Sequence, residues 1–196
     1  MALDMAADPI MDSIELMKYL GAQLHADGHL ESEVAQKLGI ASQEFKTLRR
    51  IWNHCNISRS FKFVIFTACI LQRLLYSLDT AWLNKSLRRK VDGFYAKCLR
   101  QILQISPSFM NRVSNGFILC QFNTIPLSKI LLQRQLVLFG NIARLPNDHI
   151  LRKITFEENS LQPITCPNRR RGRPRSTWTQ EIAKIANNAF HDEERL

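Results

Sequence analysis

The segment RSFKFVIFTACILQRLLYSLD, residues 59–79, is apolar on nearly every side when it is drawn as a helix. This pattern is typical of a helix that lies at the centre of a fold and is covered all round. Ser58 directly precedes it and is a candidate N-cap residue. A chain of 196 residues is long enough to build one core around such a helix. The segment therefore predicts a mainly α-helical fold.

Amphipathic helices are predicted on both sides of this segment, because apolar residues recur there in steps of three and four. The two clearest stripes are Val34, Leu38, Ala41, Phe45, Leu48 and Trp52, and Leu87, Val91, Phe94, Cys98, Ile102 and Ile105. The second of these helices should run from about Ser86 to Ile105, with Pro107 ending it. A short helix over 111–125 and a longer one from Pro126 to about 145 should follow.

A β-hairpin is expected ahead of the helices. Lys18 to Leu30 reads as extended structure, with the turn at Asp27-Gly28, since Asp-Gly is a strong hairpin signal. The predicted organisation is a leader over 1–17, a hairpin over 18–30, a helical bundle over 31–106, further helices over 107–146, a mobile Pro/Arg-rich connector over 147–176 and a helix over 177–196.

Charge is distributed very unevenly along the chain. The formal net charge is +10, yet residues 1–30 hold five carboxylates against Lys18 alone. From 45 to 147, by contrast, 16 Lys and Arg stand against only Asp79 and Asp92. A section this basic predicts a polyanionic partner whose binding weakens as salt rises.

The cysteines give no support for a metal site. Five of them lie at wide, irregular spacing with no Cys-x-x-Cys pattern, so neither zinc binding nor a disulfide framework is indicated. Cys69 and Cys98 fall in apolar stretches and are expected in the core. We therefore expect an intracellular protein. A membrane span is not expected, because the longest apolar run, 63–71, is too short to cross a bilayer.

Tryptophans can stack on nucleic-acid bases, but at helical spacing beside aliphatic residues they are more often core. Trp52 and Trp178 lie in such stripes and are predicted to be buried. Trp82 follows the end of the central helix, and the sequence does not decide between base stacking and core packing for it.

Five arginines occur within seven residues, in the sequence RRRGRPR over 169–175. The core Arg171-Gly172-Arg173-Pro174 matches minor-groove arms of the AT-hook kind, in which arginines enter a narrow groove. A solvated linker or a nuclear-import signal would also explain the run. The basic helices beside it favour a contact with nucleic acid.

A succession of short motifs runs through most of the chain in a characteristic order. The motifs are Tyr19-Leu20-Gly21, Leu74-Leu75-Tyr76 followed by Trp82, Cys98-Leu99-Arg100-Gln101-Ile102-Leu103, Ile125-Pro126-Leu127, Phe139-Gly140-Asn141-Ile142, Arg144-Leu145-Pro146 and Gly172-Arg173-Pro174 followed by Trp178. This order resembles the C-terminal part of non-LTR (LINE-type) retrotransposon reverse transcriptases, over roughly residues 18–190. The resemblance depends on many spaced motifs instead of on one.

The resemblance implies a division of labour within the chain. Tyr19, Leu20 and Gly21 would be the primer-grip-like remnant of the palm, the 31–106 bundle a thumb, and 107–146 a post-thumb extension. The basic helices would then hold an RNA–DNA hybrid or duplex DNA, with the palm and fingers of a reverse transcriptase as a further partner. The candidate nucleic-acid-binding residues are Lys46, Arg49, Arg50, Arg88, Arg89, Lys90, Lys97, Arg100, Arg169, Arg170, Arg171, Arg173 and Arg175.

The chain departs from that family in several respects. Ser77 and Asp79 stand where the family usually has Gly and Glu. The family's catalytic Asp-Asp turn would precede Tyr19, and Ala6-Ala7-Asp8-Pro9 is not that turn. We therefore expect a fragment without polymerase activity, with no catalytic or metal-binding residues and no cofactor of its own, although the intact enzyme would use Mg²⁺. The alternative is a non-enzymatic DNA-binding protein that uses the Arg-Gly-Arg-Pro motif. Either reading suggests the nucleus.

Overall fold

The fold is mainly helical, as the sequence predicts. The computed structural model describes residues 16–19, 21–25, 30–53, 56–107, 109–158, 160–165 and 177–193. Its strands are β1 (Leu16–Tyr19) and β2 (Ala22–His25). Its α-helices are α1 (Glu31–Thr47), α2 (Arg49–Asn53), α3 (Arg59–Phe66), α4 (Gln72–Leu75), α5 (Lys85–Ile102), α6 (Asn115–Gln121), α7 (Leu127–Ala143), α8 (Ile150–Thr155) and α9 (Trp178–Glu193).

The two strands form the expected hairpin, but the chain reverses earlier than Asp27-Gly28. Tyr19 pairs with Ala22 and Leu16 with His25 in an antiparallel register. Gly21 occupies the turn at a φ of 84°, which a residue with a side chain adopts only at a cost. The expected turn at 26–29 lies outside the described residues.

Residues 59–75 of the central segment are helical in three pieces, and a 3-10 turn, Leu78–Thr80, follows them. The Ser58 side chain accepts a hydrogen bond from the backbone N–H of Phe61 and so caps α3, as predicted. A π-helical turn, Thr67–Leu71, joins α3 to α4, and the helix ends at Tyr76. One face of the segment is buried, since it contributes Phe66, Ile70, Leu71, Leu74, Leu75 and Leu78 to the core.

The opposite face of this segment is open to solvent. Phe61 and Val64 are both exposed, and so is Cys69, which the sequence analysis had placed in the core. The prediction of a helix covered on all sides was therefore wrong. High overall hydrophobicity in a segment does not say how many of its faces have a neighbour.

An aromatic row forms the centre of the main core. Trp52 stacks on Phe45 at a centroid distance of 4.9 Å, Phe45 meets Phe66 edge to face at 5.7 Å, and Phe66 stacks on Tyr95 at 6.0 Å. These rings come from α2, α1, α3 and α5 in turn, so the row joins four helices. Trp52 is only 2% exposed, which confirms its predicted place in the core.

The helix that the sequence analysis drew from 34 to 52 is broken after Thr47, and α2 begins at Arg49. The Trp52 indole N–H donates to the backbone oxygen of Phe45 at 2.7 Å, which fixes the angle between the two pieces. The buried Lys62 ammonium donates to the backbone oxygen of Trp52 at 2.8 Å. A cation at the C-terminal end of a short helix is favourable, because the carbonyl groups there carry partial negative charge.

Helix α5 ends before Pro107 is reached. Gln104 takes a φ of 58°, and the N–H groups of Gln104 and Ile105 donate back to the carbonyls of Gln101 and Arg100 at 3.1 and 2.9 Å. This is a Schellman motif, which satisfies the free carbonyls at a helix end. It terminates α5 at Ile102, about one turn earlier than Ile105 in the sequence prediction.

A second apolar cluster lies between α7, α8 and α9. Its buried members are Phe139, Ile142, Phe156, Ile182 and Ala183. The Trp178 ring, which was predicted to be buried, is partly buried and meets Phe139 edge to face at 6.2 Å.

The sequence analysis had drawn a mobile connector over 147–176, and the structure differs over part of this range. Residues 150–155 form a helix, Phe156 is buried, and Phe156 pairs with Pro163 in a β-bridge. Phe156 is therefore the apolar anchor that the sequence reading of this range lacked.

Candidate nucleic-acid interface

The solvent face of α5 is basic along most of its length. The exposed residues Arg89, Lys90, Gly93, Lys97 and Gln101 fall on one side of the helix, and we call them the basic stripe. The stripe is about 18 Å long at 1.5 Å per residue. Successive phosphates of one strand rise by about 3.4 Å along the axis of a duplex, so the stripe spans the axial rise of roughly five nucleotides.

The only acidic residue of α5 is turned away from this stripe. Asp92 accepts hydrogen bonds from the backbone N–H of Ser128 at 2.8 Å and from its hydroxyl at 2.7 Å. Its carboxylate thereby satisfies the N-terminal end of α7, where the partial charge of the helix is positive. The only carboxylate of α5 therefore contacts α7, and every charged residue of the basic stripe is a cation.

A groove of 680 Å³ opens at the end of the stripe, between the junction of α1 and α2 and the C-terminal end of α5. It is lined by Phe45, Lys46, Arg49, Trp52, Asn53, Gln101, Gln104, Ile105 and Ser106. Lys46 and Arg49 are exposed there, and the described lining includes no carboxylate. Lys46 belongs to α1 and Arg49 begins α2, so the two cations of the groove lie on either side of the break after Thr47.

Gln101 belongs to both the stripe and the groove, so the two surfaces are continuous. Together they bring together five of the predicted binding residues, namely Lys46, Arg49, Arg89, Lys90 and Lys97. Amide side chains at Gln101 and Gln104 add neutral hydrogen-bond donors between the cations. The sequence analysis missed these amides and Asn53 because neutral residues carry no charge signal. The absence of any Asp or Glu between 93 and 147 could have pointed to them.

Arg50 and Arg88 lie outside this continuous surface. Arg50 is exposed on α2 but does not line the groove. Arg88 is partly buried, with its Nε donating to the Leu83 backbone oxygen at 2.9 Å and its guanidinium 4.3 Å from the centre of the Trp82 ring. Trp82 is itself partly buried in the second apolar cluster. Its position under Arg88 favours packing over base stacking.

Arg100 is not available to a phosphate, contrary to its selection as a binding residue. It is only 6% exposed, and its guanidinium donates to the Val113 backbone oxygen at 2.5 Å and to Asn115 Oδ1 at 3.0 Å. Longer contacts reach Asn111 Oδ1 at 3.4 Å and the Ser106 backbone oxygen at 3.5 Å. Arg100 is therefore a structural cation that holds the loop after α5.

The hairpin turn lies beside the end of the central segment. A Cβ at Gly21 would come within 3.8 Å of the Tyr76 ring, while Tyr19 is 58% exposed. The Lys37 ammonium lies 5.2 Å from the centre of the Tyr76 ring. Leu20 of the predicted primer-grip-like trio lies outside the described residues.

Both positions at which the chain departs from the LINE-type pattern are locally unfavourable. Ser77 has a φ of 66°, in the left-handed region that favours the glycine usual in that family. Its hydroxyl donates to the Glu33 carboxylate at 3.1 Å. Asp79 Oδ1 is buried and has no hydrogen-bond partner in the part of the chain that the structure describes.

Two buried acidic groups of α5, the Cys98 thiol and the Tyr95 hydroxyl, are neutral. Burial raises the pKa of the Cys98 thiol from 9.0 to about 12, and it also raises the pKa of Tyr95. Cys98 is thus an inert core residue, as predicted. The Tyr95 hydroxyl lies 3.0 Å from Thr124 Oγ1, which joins α5 to the segment before α7.

The arginines at 169, 170, 171, 173 and 175 lie outside the described residues. Within the ranges described, no group of His, Cys, Asp and Glu could hold a metal ion, and none of the helices is long and apolar enough to cross a membrane. No protein-family model, curated protein or solved structure matches the chain.

Proposed function

We propose that this chain grips nucleic acid and that it corresponds to the thumb and post-thumb region of a LINE-type reverse transcriptase. The observation that carries the first part is the continuity of the basic stripe with the groove. Five cations lie on one surface, with no carboxylate among the residues that form it. A nucleic acid that binds such a surface releases condensed counterions. This release makes the free energy of binding more favourable, whatever the base sequence.

The second part rests on the order of the motifs. The helical fold, the short hairpin that carries Tyr19 and Gly21 and the left-handed backbone at Ser77 are compatible with it. In this reading the surface holds an RNA–DNA hybrid or a DNA duplex while the palm of the polymerase carries out synthesis. The substrate would be nuclear, which agrees with the basic run at 169–175.

Replacing Lys46 and Arg49 by alanine tests the surface directly. We expect binding to a 20-base-pair RNA–DNA hybrid to weaken, and the slope of log K against log salt to fall by about two, because each phosphate contact contributes roughly 0.9. Lys153→Ala with Lys184→Ala removes two exposed cations, on α8 and α9, that belong neither to the groove nor to the basic stripe, and provides the charge-matched control. An unchanged slope in the variant that lacks Lys46 and Arg49, measured by fluorescence anisotropy, would rule out the groove as the binding surface.

The AT-hook-like reading remains the second candidate because five arginines fall within seven residues. It predicts that Arg171→Ala with Arg173→Ala abolishes a preference for A·T-rich duplex DNA. The first candidate predicts a general weakening without change of preference. Incubation with primed template, Mg²⁺ and nucleotides should give no extension under either candidate, and extended primer would contradict both.

A further inference from the structure

The loop between α5 and α6 presents two adjacent apolar side chains to solvent. Phe109 is 86% exposed and Met110 is 69% exposed, and Phe109 is the most exposed of the large hydrophobic residues in the described part of the chain. Single exposed apolar residues are common on protein surfaces and need no explanation. Phe109 and Met110 are adjacent at the tip of one loop and are both largely exposed, and this arrangement is typical of a site that contacts a partner.

The loop is braced on both sides of this tip. The backbone N–H groups of Met110 and Asn111 donate to the Pro107 carbonyl at 2.9 and 3.2 Å, which closes a turn. Arg100 contacts the chain before the tip at Ser106 and after it at Val113. A side chain that is held out on a braced turn loses little conformational entropy when it binds.

The position of the loop relates the tip to the basic stripe. Successive residues of a helix are rotated by about 100°, which places Arg100 within about 60° of both Gly93 and Lys97 on the exposed side of α5. Arg100 is buried there only because the loop lies over it. The loop therefore borders the stripe.

The tip is also close to the groove. Ser106 lines the groove and is three residues from Phe109, so their Cα atoms are at most about 11 Å apart. That distance corresponds to the axial rise of about three base pairs in a duplex.

We infer that Phe109 stacks on an unpaired base of a nucleic-acid strand whose phosphates lie along the stripe and the groove, with Met110 covering the edge of the same base. The inference rests on the proposed function and adds a contact with a base to a surface that otherwise meets only the backbone. Phenylalanine stacks on any base, because every base offers a π face, and cations on either side hold the strand in place. The ligand is thus a strand that continues beyond its duplex as unpaired nucleotides.

The test compares two DNA probes of the same duplex sequence, one blunt and one with a five-nucleotide single-stranded overhang that carries 2-aminopurine. The wild-type chain should bind the overhang probe more tightly and change its 2-aminopurine fluorescence. Phe109→Ala should bind that probe about 5- to 150-fold more weakly than wild type, from the measured range for base stacking. Its affinity for the blunt probe and its salt slope should stay as in the wild type, because no phosphate contact is lost.

Two further variants separate stacking from plain apolar contact. Phe109→Tyr keeps a ring and should retain binding, whereas Phe109→Leu keeps apolar volume without a ring and should behave like Phe109→Ala. Ile150→Ala removes another exposed apolar side chain, on α8, and should change neither affinity. Circular dichroism should show the same melting temperature for all of them, since these side chains lie largely outside the fold.

The outcomes distinguish this inference from the proposed function. Blunt-probe binding that depends on Lys46 and Arg49, with an overhang affinity indifferent to Phe109→Ala, overturns the stacking contact and leaves the proposed function standing. Binding to neither probe overturns both. Self-association that Phe109→Ala abolishes in sedimentation, without any change in the overhang affinity, would identify the tip as a protein contact and also overturn the inference.

Discussion

The turn before α5, residues 76–84, and the loop between α5 and α6 have similar backbone geometry. Different side chains hold the two connections in place. Each follows a helix end at which a residue with a side chain has a positive φ, Ser77 at 66° and Gln104 at 58°. The loop after α5 is built around a buried cation, Arg100, which lies inside it. The turn before α5 is held from outside by a neutral amide, Gln135 of α7, which donates to the Leu78 and Ala81 carbonyls at 3.1 and 2.8 Å.

The difference follows from the length and content of the two connections. The turn contributes Leu78, Ala81 and Leu83 to the core and needs only its carbonyls satisfied. The loop buries Leu103 and partly buries Ile105 and Val113 near its two ends, whereas Phe109 and Met110 in its middle face solvent. A guanidinium with five N–H donors can hold several carbonyl and amide oxygens at once, and so it braces the middle of this loop, where none of the described residues between 106 and 112 is buried.

Arg100→Ala should have the largest effect of the changes considered for these two connections. It leaves the Val113 carbonyl and the Asn115 side chain without their donor, and hydrogen bonds to a charged group contribute about 1.5–3 kcal/mol each. We expect the free energy of unfolding in urea to fall by about 3–5 kcal/mol. Arg100→Lys should recover only part of it, because an ammonium lacks the planar fork.

Lys97→Ala provides the matched control, since Lys97 is exposed on the same helix. Its loss should change stability by no more than about 0.5 kcal/mol. If the two alanine variants unfolded at the same urea concentration, Arg100 would not be the centre of the loop.

The sequence predicted most helix positions because their signals are local. Ser58 caps α3 and Pro126 immediately precedes α7, and each is recognisable from one residue and its neighbours. The stripe of α1 and α2 placed Phe45 and Trp52 correctly in the core. The hairpin was expected as well, but its turn was placed at Asp27-Gly28, because that dipeptide is a stronger turn signal than the one at Gly21.

The candidate site was predicted only where exposure follows from periodicity. Lys97 and Arg100 both lie on the outer side of α5, and sequence spacing treats them alike. Arg100 is buried because Ser106, Asn111, Val113 and Asn115, which follow α5 in the chain, contact its guanidinium, and no helical period encodes those contacts. The same kind of limit applies to Phe156, whose burial depends on α7 and α9 and not on its own sequence neighbours.

Gln135→Leu tests the turn before α5, with a smaller expected effect. The leucine is close in size, so the main loss is the pair of hydrogen bonds to the Leu78 and Ala81 carbonyls. We expect the free energy of unfolding to fall by about 1–3 kcal/mol, because two buried acceptors lose their donor. Gln133→Leu, on the exposed side of α7, should be close to neutral in the same urea titration. Equal results for the two variants would mean that the turn holds its shape without the amide.

Replacing Gln104 and Ser77 by glycine should change the free energy of unfolding in opposite directions, and by less than the variants above. Relief of left-handed strain contributes about 1–2 kcal/mol, and the greater entropy of an unfolded glycine offsets about 0.5–1 kcal/mol of it. Gln104→Gly should therefore raise the free energy of unfolding by about 0.5–1 kcal/mol, since no side-chain hydrogen bond of Gln104 is formed within the described residues.

Ser77→Gly gains the same relief but loses the hydrogen bond from Ser77 to the buried Glu33 carboxylate. A bond to a charged acceptor contributes about 1.5–3 kcal/mol, which exceeds the relief, so the net change should be a loss of about 1 kcal/mol. Thermal unfolding of both variants measures the pair. If both variants melted at a higher temperature than the wild type, the hydrogen bond from Ser77 to Glu33 would contribute nothing to stability. The two connections would then differ only in the side chains that hold them, Gln135 and Arg100.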